Sequence, residues 1–153
     1  TNFDNRTKMS FDMIVMSEHT FLSLAYVKIG VTPDGGATKF LSEAMPRQLL
    51  SEMAMMGGKI ESSRLYQIGA VNVLSQKGKA KEDALELCKN FADLPKNSIS
   101  RIKKLTRAAY ENTFDEQLQS ETDFMVKSQG DKESIEGIDA FLEKRKADYK
   151  KLR

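Results

Sequence analysis

Residues 21–39, FLSLAYVKIGVTPDGGATK, reveal more about this chain than any other stretch of its sequence. A polar turn at residues 32–36 follows an apolar run, and a helical pattern follows the turn. Pro33 fixes one backbone angle, and Gly35 and its neighbouring glycine let the backbone approach a ligand closely. Asp34 is thereby held beside the exposed N–H groups of a helix start, which suits an anion or a proton-transferring carboxylate. The alternative interpretation is an ordinary turn in which Asp34 caps a helix beginning at Gly35.

Short strands and helices surround this turn. Branched apolar residues in short runs indicate strands, whereas apolar residues at helical spacing, bounded by Pro or Gly, indicate helices. The predicted elements are a buried strand at residues 11–16, a helix at 37–44, a helix from Pro46 to the Gly57-Gly58 pair, a helix from about 62 to Gly69 and a strand at 70–74.

The remainder of the chain has only helical patterns. Four amphipathic faces follow one another, and the first ends before Pro95. We therefore predict an α/β fold in which residues 11–94 form the strand-containing part and residues 95–153 a helical subdomain. The faces begin at Ala84, Ile99, Phe114 and Ile135.

Composition narrows the function classes. A net charge of +2 over 153 residues gives no indication of nucleic-acid binding, and no apolar run is long enough to span a membrane. The single cysteine, Cys88, excludes an internal disulfide, suggests a reducing compartment, and is predicted to be a buried, unreactive thiol. His19 is the only histidine and has no partner at metal-ligand spacing, so no metal site is predicted. We expect a cytoplasmic protein.

Four ordered sequence blocks carry a resemblance to a known family. They are FDMIVMSE at residues 11–18 with AYVKIGVTPDGG at 25–36, GKI at 58–60, GAVN at 69–72, and EGIDAFLEKR at 136–145. These blocks resemble the crotonase (enoyl-CoA hydratase/isomerase) superfamily. The resemblance implies a core of ββα spiral turns, a C-terminal helical trimerisation subdomain, and a homo-trimer or hexamer that binds acyl-CoA thioesters. It implies no cofactor, because coenzyme A is part of the substrate.

The resemblance covers only the C-terminal portion of such a subunit, from about residue 11 to residue 149. The two Gly-containing segments that supply the family's oxyanion hole do not occur here, and residues 1–10 are polar and unlike the family. We therefore expect this chain to be part of a longer polypeptide, with residues 1–10 not contiguous with the rest. The alternatives are a natural fragment and a non-catalytic, degenerate binding or oligomerisation module that lacks the oxyanion hole.

The resemblance also assigns candidate site residues. Tyr26 stands where hydratases of the family carry a glutamate, and a phenol with a pKa of about 10 cannot replace a carboxylate base near neutrality. Some isomerases of the family use the carboxylate after the turn proline, which is Asp34 here. Double-bond isomerisation with Asp34 as acid/base is therefore preferred slightly over hydration, with Tyr26, Pro33 and Gly35 lining the substrate site.

Two further groups of residues carry alternative interpretations. Residues 144–153 contain six basic residues and one acid, which is typical of a solvated helix end, but Phe141 and Lys144 also resemble the family segment that reaches a neighbouring subunit's CoA. Arg145 is the weaker candidate. Met53, Met55 and Met56 suit either core packing or the wall of an acyl pocket.

Overall fold

The computed structural model describes residues 12–153, so the expectations for residues 1–10 and for Phe11 lie outside the described residues. The chain forms two compact units, one ending at Glu86 and the other comprising Leu87–Arg153. Their division falls inside the helix Ala80–Ala92, whereas the sequence suggested a helical subdomain from residue 95. Each unit is described by itself.

Among residues 12–86, four three-residue strands form two pairs: β1 (Val15–Ser17), β2 (Phe21–Ser23), β3 (Lys59–Glu61) and β4 (Val73–Ser75). β1 and β4 are parallel, with Met16 opposite Leu74, and β2 and β3 are antiparallel, with Leu22 opposite Ile60. The predicted strands at residues 11–16 and 70–74 correspond to β1 and β4, but each begins later. Backbone bonds from the N–H groups of Asn72 and Val73 to the carbonyl oxygen of Ile14 bring the two segments together ahead of the strands.

Helices and the segments that join them to the strands supply most of the core. A 3₁₀ turn (Ala25–Ile29) precedes α1 (Ala37–Ala44), α2 (Arg47–Met56) and α3 (Ser62–Gln67). α1 has the predicted bounds, and Pro46 is the N-cap of α2. The core side chains are Leu22, Leu24, Ala37, Leu41, Met45, Leu50, Met53, Ile60, Leu65, Ala70 and Val71.

The second unit is helical, as the apolar periodicity predicts. It contains the end of α4 (Ala80–Ala92), then α5 (Lys96–Ala108), α6 (Phe114–Gln129), α7 (Lys132–Leu142) and a 3₁₀ turn (Tyr149–Leu152). Of the described residues from Leu87 onward, only Glu136 and Ala140 are buried. A single chain therefore leaves the apolar helix faces of this unit exposed.

The environment of Cys88 differs from the sequence expectation. Cys88 is exposed, so the prediction of a buried thiol is wrong. The apolar face that Cys88 shares with Leu85 and Phe91 is itself exposed, and helical periodicity alone cannot show whether a face is covered.

Within residues 12–153, no helix combines the length and apolar character needed to cross a membrane.

Candidate active site

The turn before α1 is built on two left-handed glycines. Gly35 has φ 58° and Gly36 has φ 81°, a region that a residue with a side chain rarely adopts. α1 begins at Ala37 with Gly36 as its N-cap, and the Ala37 N–H group donates to the Asp34 carbonyl oxygen at 3.1 Å. Asp34 lies two residues before the N-cap, so the interpretation of Asp34 as the cap of a helix starting at Gly35 is wrong.

The same turn brings Asp34 together with Tyr26. The Tyr26 hydroxyl donates a hydrogen bond to Asp34 Oδ1 at 3.1 Å, across eight residues of sequence. The 3₁₀ turn that carries Tyr26 ends at Gly30, whose φ of 75° turns the chain, and the Val31 N–H group donates to the Tyr26 carbonyl oxygen. The two side chains that the sequence singled out separately therefore form one hydrogen-bonded pair. Tyr26 is half-buried and Asp34 is exposed.

The end of α2 supports the turn that carries Tyr26. Gly57, the C-cap of α2, has φ 62° and lies against that turn. A Cβ atom at position 57 would lie 2.9 Å from Lys28 Cε and 3.1 Å from Val27 Cγ1, closer than carbon atoms normally pack. The absence of a side chain at Gly57 thus lets α2 approach the Tyr26 turn closely.

The methionines of α2 have different environments. Met53 is buried in the core, which confirms the packing interpretation for that residue. Met55 and Met56 are 73% and 71% exposed, so the prediction of core packing is wrong for both. Met53 and Met56 also line a groove of about 440 Å³ together with Leu49 and Ile60.

The C-terminal candidates lie in the second unit, at the end of α7. Phe141 is 81% exposed, and Lys144 is exposed with φ 55°. Arg145 forms two hydrogen bonds to Glu136, from Nη1 to Oε1 at 2.6 Å and from Nη2 to Oε2 at 3.3 Å. The guanidinium of this weaker ligand candidate therefore binds a carboxylate of its own chain.

Glu136 is the residue that sequence reasoning missed. It is 6% exposed and accepts two contacts besides the two Arg145 bonds. The Asp148 N–H group lies 2.8 Å from Oε1, and Lys151 Nζ lies 2.5 Å from Oε2. The Arg145 guanidinium, then the Asp148 N–H group and the Lys151 ammonium, hold the pKa of the Glu136 carboxyl far below its ordinary value of 4.5. No local sequence pattern signals this pairing, because Arg145 reaches Glu136 only after the chain turns at Lys144.

No three His, Cys, Asp or Glu side chains come together as a potential metal site among residues 12–153. The first unit offers a carboxylate bonded to a phenol at a glycine turn. The second unit offers an exposed lysine and an exposed phenylalanine at one helix end.

Comparison with known proteins decides the family. Residues 6–152 match the family described as enoyl-CoA hydratase/isomerase. The chain belongs to this family. The matched range includes both the Tyr26–Asp34 turn and the Glu136–Arg145 helix end.

Solved crotonase structures confirm the fold class. An enoyl-CoA hydratase from Polaromonas sp. JS666 superposes with a TM-score of 0.88 at 32% identity, over 94% of this chain and 56% of that one. An enoyl-CoA hydratase from Geobacillus kaustophilus superposes with a TM-score of 0.89 at 26% identity, with the same coverage of both chains. The short strands and helices described above are thus part of an α/β crotonase fold.

Curated relatives differ in the reaction that their names describe. The carnitinyl-CoA dehydratase of Salmonella typhimurium is 26% identical over 141 residues, which are 90% of this chain and 54% of that protein. The 1,2-epoxyphenylacetyl-CoA isomerase of Escherichia coli is 25% identical over 138 residues, 90% of this chain and 53% of the relative. The mitochondrial enoyl-CoA hydratase of Pongo abelii is 28% identical over 142 residues, which are 93% of this chain and 49% of that protein. The chain spans about half the length of these relatives.

Proposed function

We propose that the complete protein containing this chain is a crotonase-type enzyme that moves a double bond in an enoyl-CoA thioester, with Asp34 as its acid/base. The hydrogen bond from the Tyr26 hydroxyl to Asp34 Oδ1 carries the proposal. It orients the carboxylate and holds it at a turn of two left-handed glycines, which suits a proton-transferring group.

The proposed reaction needs only one such carboxylate. Asp34 removes a proton from the carbon next to the thioester carbonyl, and the electron pair moves into the carbonyl to give an enolate. The same carboxyl then returns that proton to the far carbon of the double bond, so that the double bond shifts by one position. Enolate charge requires preorganised N–H donors, which the family resemblance places upstream of residue 11. No cofactor takes part beyond the coenzyme A of the substrate.

Isomerisation is favoured over hydration because of the residue at position 26. Hydration in this family is expected to use two carboxylates, and Tyr26 occupies the place of one of them while it binds Asp34. The names of the relatives are compatible with this choice, since they include an isomerase, a dehydratase and a hydratase that all act on CoA compounds.

The second unit supplies the proposed contacts to coenzyme A. The exposed ring of Phe141 offers an apolar cover, and the exposed ammonium group of Lys144 offers a point charge for phosphate. We propose that these groups serve the site of a neighbouring subunit in a homo-trimer or hexamer. The exposed apolar helix faces of residues 87–153 support assembly of this kind.

Replacement of Asp34 tests the proposed chemistry. Asp34→Asn keeps the shape of the side chain and an oxygen that accepts the Tyr26 hydrogen bond, but it removes the base. In the complete protein, isomerisation of a 3-enoyl-CoA should fall at least about 10²-fold, with little change in thermal stability or acyl-CoA affinity. Asp139→Asn, at an exposed helical aspartate, is the matched control. Wild-type turnover of Asp34→Asn would end the isomerase assignment, and hydration of a 2-enoyl-CoA by that variant would favour another base.

A further inference from the structure

Lys144 has a backbone conformation that its residue type does not prefer. It has φ 55° and is the only non-glycine residue with positive φ among residues 12–153. The position follows the C-cap of α7, where glycine is the usual residue because a Cβ atom crowds the backbone in this conformation. Such strain persists where surrounding contacts fix it, and it clusters at functional sites.

Two backbone hydrogen bonds fix the turn itself. The Lys144 N–H group donates to the Phe141 carbonyl oxygen at 3.2 Å, and the Arg145 N–H group donates to the Ala140 carbonyl oxygen at 3.0 Å. These bonds end α7 tightly and reverse the chain at Lys144. They would form equally well with glycine at position 144, so they do not explain why a lysine is there.

The side chain of Arg145 is held by two glutamates. Its guanidinium binds both oxygens of Glu136, and its Nε atom donates to Glu143 Oε2 at 2.5 Å. Glu143 and Arg145, the neighbours of Lys144, therefore bind each other, and Arg145 also binds Glu136, which is 6% exposed. In contrast, the ammonium group of Lys144 forms no ion pair or hydrogen bond with the described residues, and the residue is exposed.

The chain after Lys144 returns to the same carboxylate. The Asp148 N–H group and Lys151 Nζ both contact Glu136, and Gly137 leaves room for the Tyr149 hydroxyl, which would lie 2.8 Å from a Cβ atom at position 137. Residues 145–151 thus fold around Glu136, and Lys144 stands at the start of this loop as a charged side chain on a fixed backbone.

We propose that Glu136 is a positioning residue, which binds Arg145 and so holds Lys144 in the left-handed conformation that presents its ammonium group to the 3′-phosphate of coenzyme A. This inference rests on the proposed function, since it requires that Lys144 contacts that ligand. Glu136 itself lies too deep to touch the ligand, and its effect on binding passes through Arg145 and the backbone of Lys144.

Binding measurements on the complete protein test the inference. The probes are a saturated acyl-CoA and its dephospho-CoA analogue, titrated calorimetrically against wild type, Lys144→Ala, Glu136→Gln and the double variant. Lys144→Ala should weaken binding of the acyl-CoA roughly 5- to 30-fold and binding of the dephospho analogue much less. The ratio of the affinity for acyl-CoA to the affinity for the dephospho analogue should therefore fall in Lys144→Ala, and it should also fall in Glu136→Gln. The double variant should lose no more acyl-CoA affinity than Lys144→Ala alone. Lys146→Ala, at another exposed lysine of the loop, should keep the wild-type ratio.

The outcomes separate the inference from the function on which it rests. Loss of the affinity ratio in Lys144→Ala with full retention in Glu136→Gln overturns the positioning role and leaves the Lys144 contact in place. Equal affinity of wild type for both probes overturns the phosphate contact and the positioning role together.

Two further variants test the inference if Glu136→Gln does not fold. Arg145→Lys keeps the charge and the other contacts of Glu136 but removes the two-pronged bond, and it should also reduce the ratio. Lys144→Gly relieves the backbone strain, so its thermal midpoint should rise while the ratio falls. A midpoint that falls in Lys144→Gly would show that the conformation of Lys144 is not strained and would overturn the inference.

Discussion

The Tyr26 hydroxyl lies 3.1 Å from Asp34 Oδ1 and donates a hydrogen bond to it. One residue belongs to a 3₁₀ turn and the other to the glycine turn before α1, so the bond joins two backbone segments as well as two side chains. A hydrogen bond to a charged group contributes about 1.5–3 kcal/mol. The pair therefore stabilises both the local fold and the orientation of the proposed base.

Tyr26→Phe is expected to lower turnover more than stability. Loss of the hydroxyl leaves Asp34 without that donor, so turnover of a 3-enoyl-CoA should fall roughly 10- to 100-fold, which corresponds to a hydrogen bond of about 1.5–3 kcal/mol. Steady-state kinetics on the complete protein provide the measurement. Tyr66→Phe removes a half-exposed hydroxyl from α3 and should leave turnover unchanged. Equal kinetics for Tyr26→Phe and wild type would show that the bond has no role in the reaction.

Gly57→Ala should affect the candidate site through packing. A Cβ atom there would meet Lys28 and Val27 on the turn that carries Tyr26, and the positive φ of position 57 adds strain. We expect the free energy of unfolding to fall by about 1–3 kcal/mol, with reduced turnover, because the Tyr26 turn must move away. The measurements are denaturant unfolding and kinetics.

The neighbouring glycine provides a matched control for that change. A Cβ atom at Gly58 meets nothing within 4 Å, so Gly58→Ala should leave stability and turnover near those of wild type. Similar losses in both variants would mean that the contact with the Tyr26 turn is not the cause.

Acid should destabilise the protein through Glu136. Its contacts with Arg145, the Asp148 N–H group and Lys151 hold the pKa of the folded carboxyl well below 4.5, whereas the unfolded chain protonates near that value. The resulting stabilisation is complete above about pH 5 and is lost progressively as the pH falls below the unfolded pKa toward the folded one. Thermal unfolding between pH 7 and pH 3 measures this dependence.

A glutamine at position 136 isolates that contribution. Glu136→Gln should be less stable than wild type at pH 7, and its stability should vary less between pH 5 and pH 3. Glu111→Gln, at an exposed position, should follow the wild-type curve. An unchanged acid dependence in Glu136→Gln would assign the effect to other carboxylates.

The second unit is expected to self-associate. Its exposed apolar side chains include Phe114, Met125, Ile138 and Leu142, which are 77%, 61%, 57% and 71% exposed. Large apolar side chains left exposed along two helices are the kind of surface that another copy of the protein would cover. Sedimentation equilibrium of the complete protein should show a trimer or hexamer, with a thermal midpoint that rises with protein concentration. A stable monomer at micromolar concentration would contradict both the assembly and the proposed contact of Lys144 with a neighbouring subunit's ligand.

The sequence predicted those elements that are marked by local chemistry. Pro46 and the Gly57-Gly58 pair bound α2 as expected, and α1 follows the glycine turn with the predicted range. The β2–β3 pair was missed because strands of three residues have too few positions to show alternation. The burial of Glu136 was missed for a different reason: an acid in an amphipathic helix is usually solvated, and only the folded chain brings Arg145 and Lys151 to it. The bond between Tyr26 and Asp34 depends on the backbone path between them, so the sequence indicated the two residues but not their contact.

The enclosed carboxylate of Glu136 also determines how the chain responds to proteolysis. Its counter-charges come from Arg145 and Lys151, so a cut between Leu142 and Arg145 that releases the downstream residues leaves a buried anion without cationic neighbours among its described contacts. The helix that carries Glu136 would then have to open to hydrate the charge, which exposes further cleavage sites. Nicking at this point should therefore lead to degradation of the whole helical unit instead of leaving a trimmed, folded product.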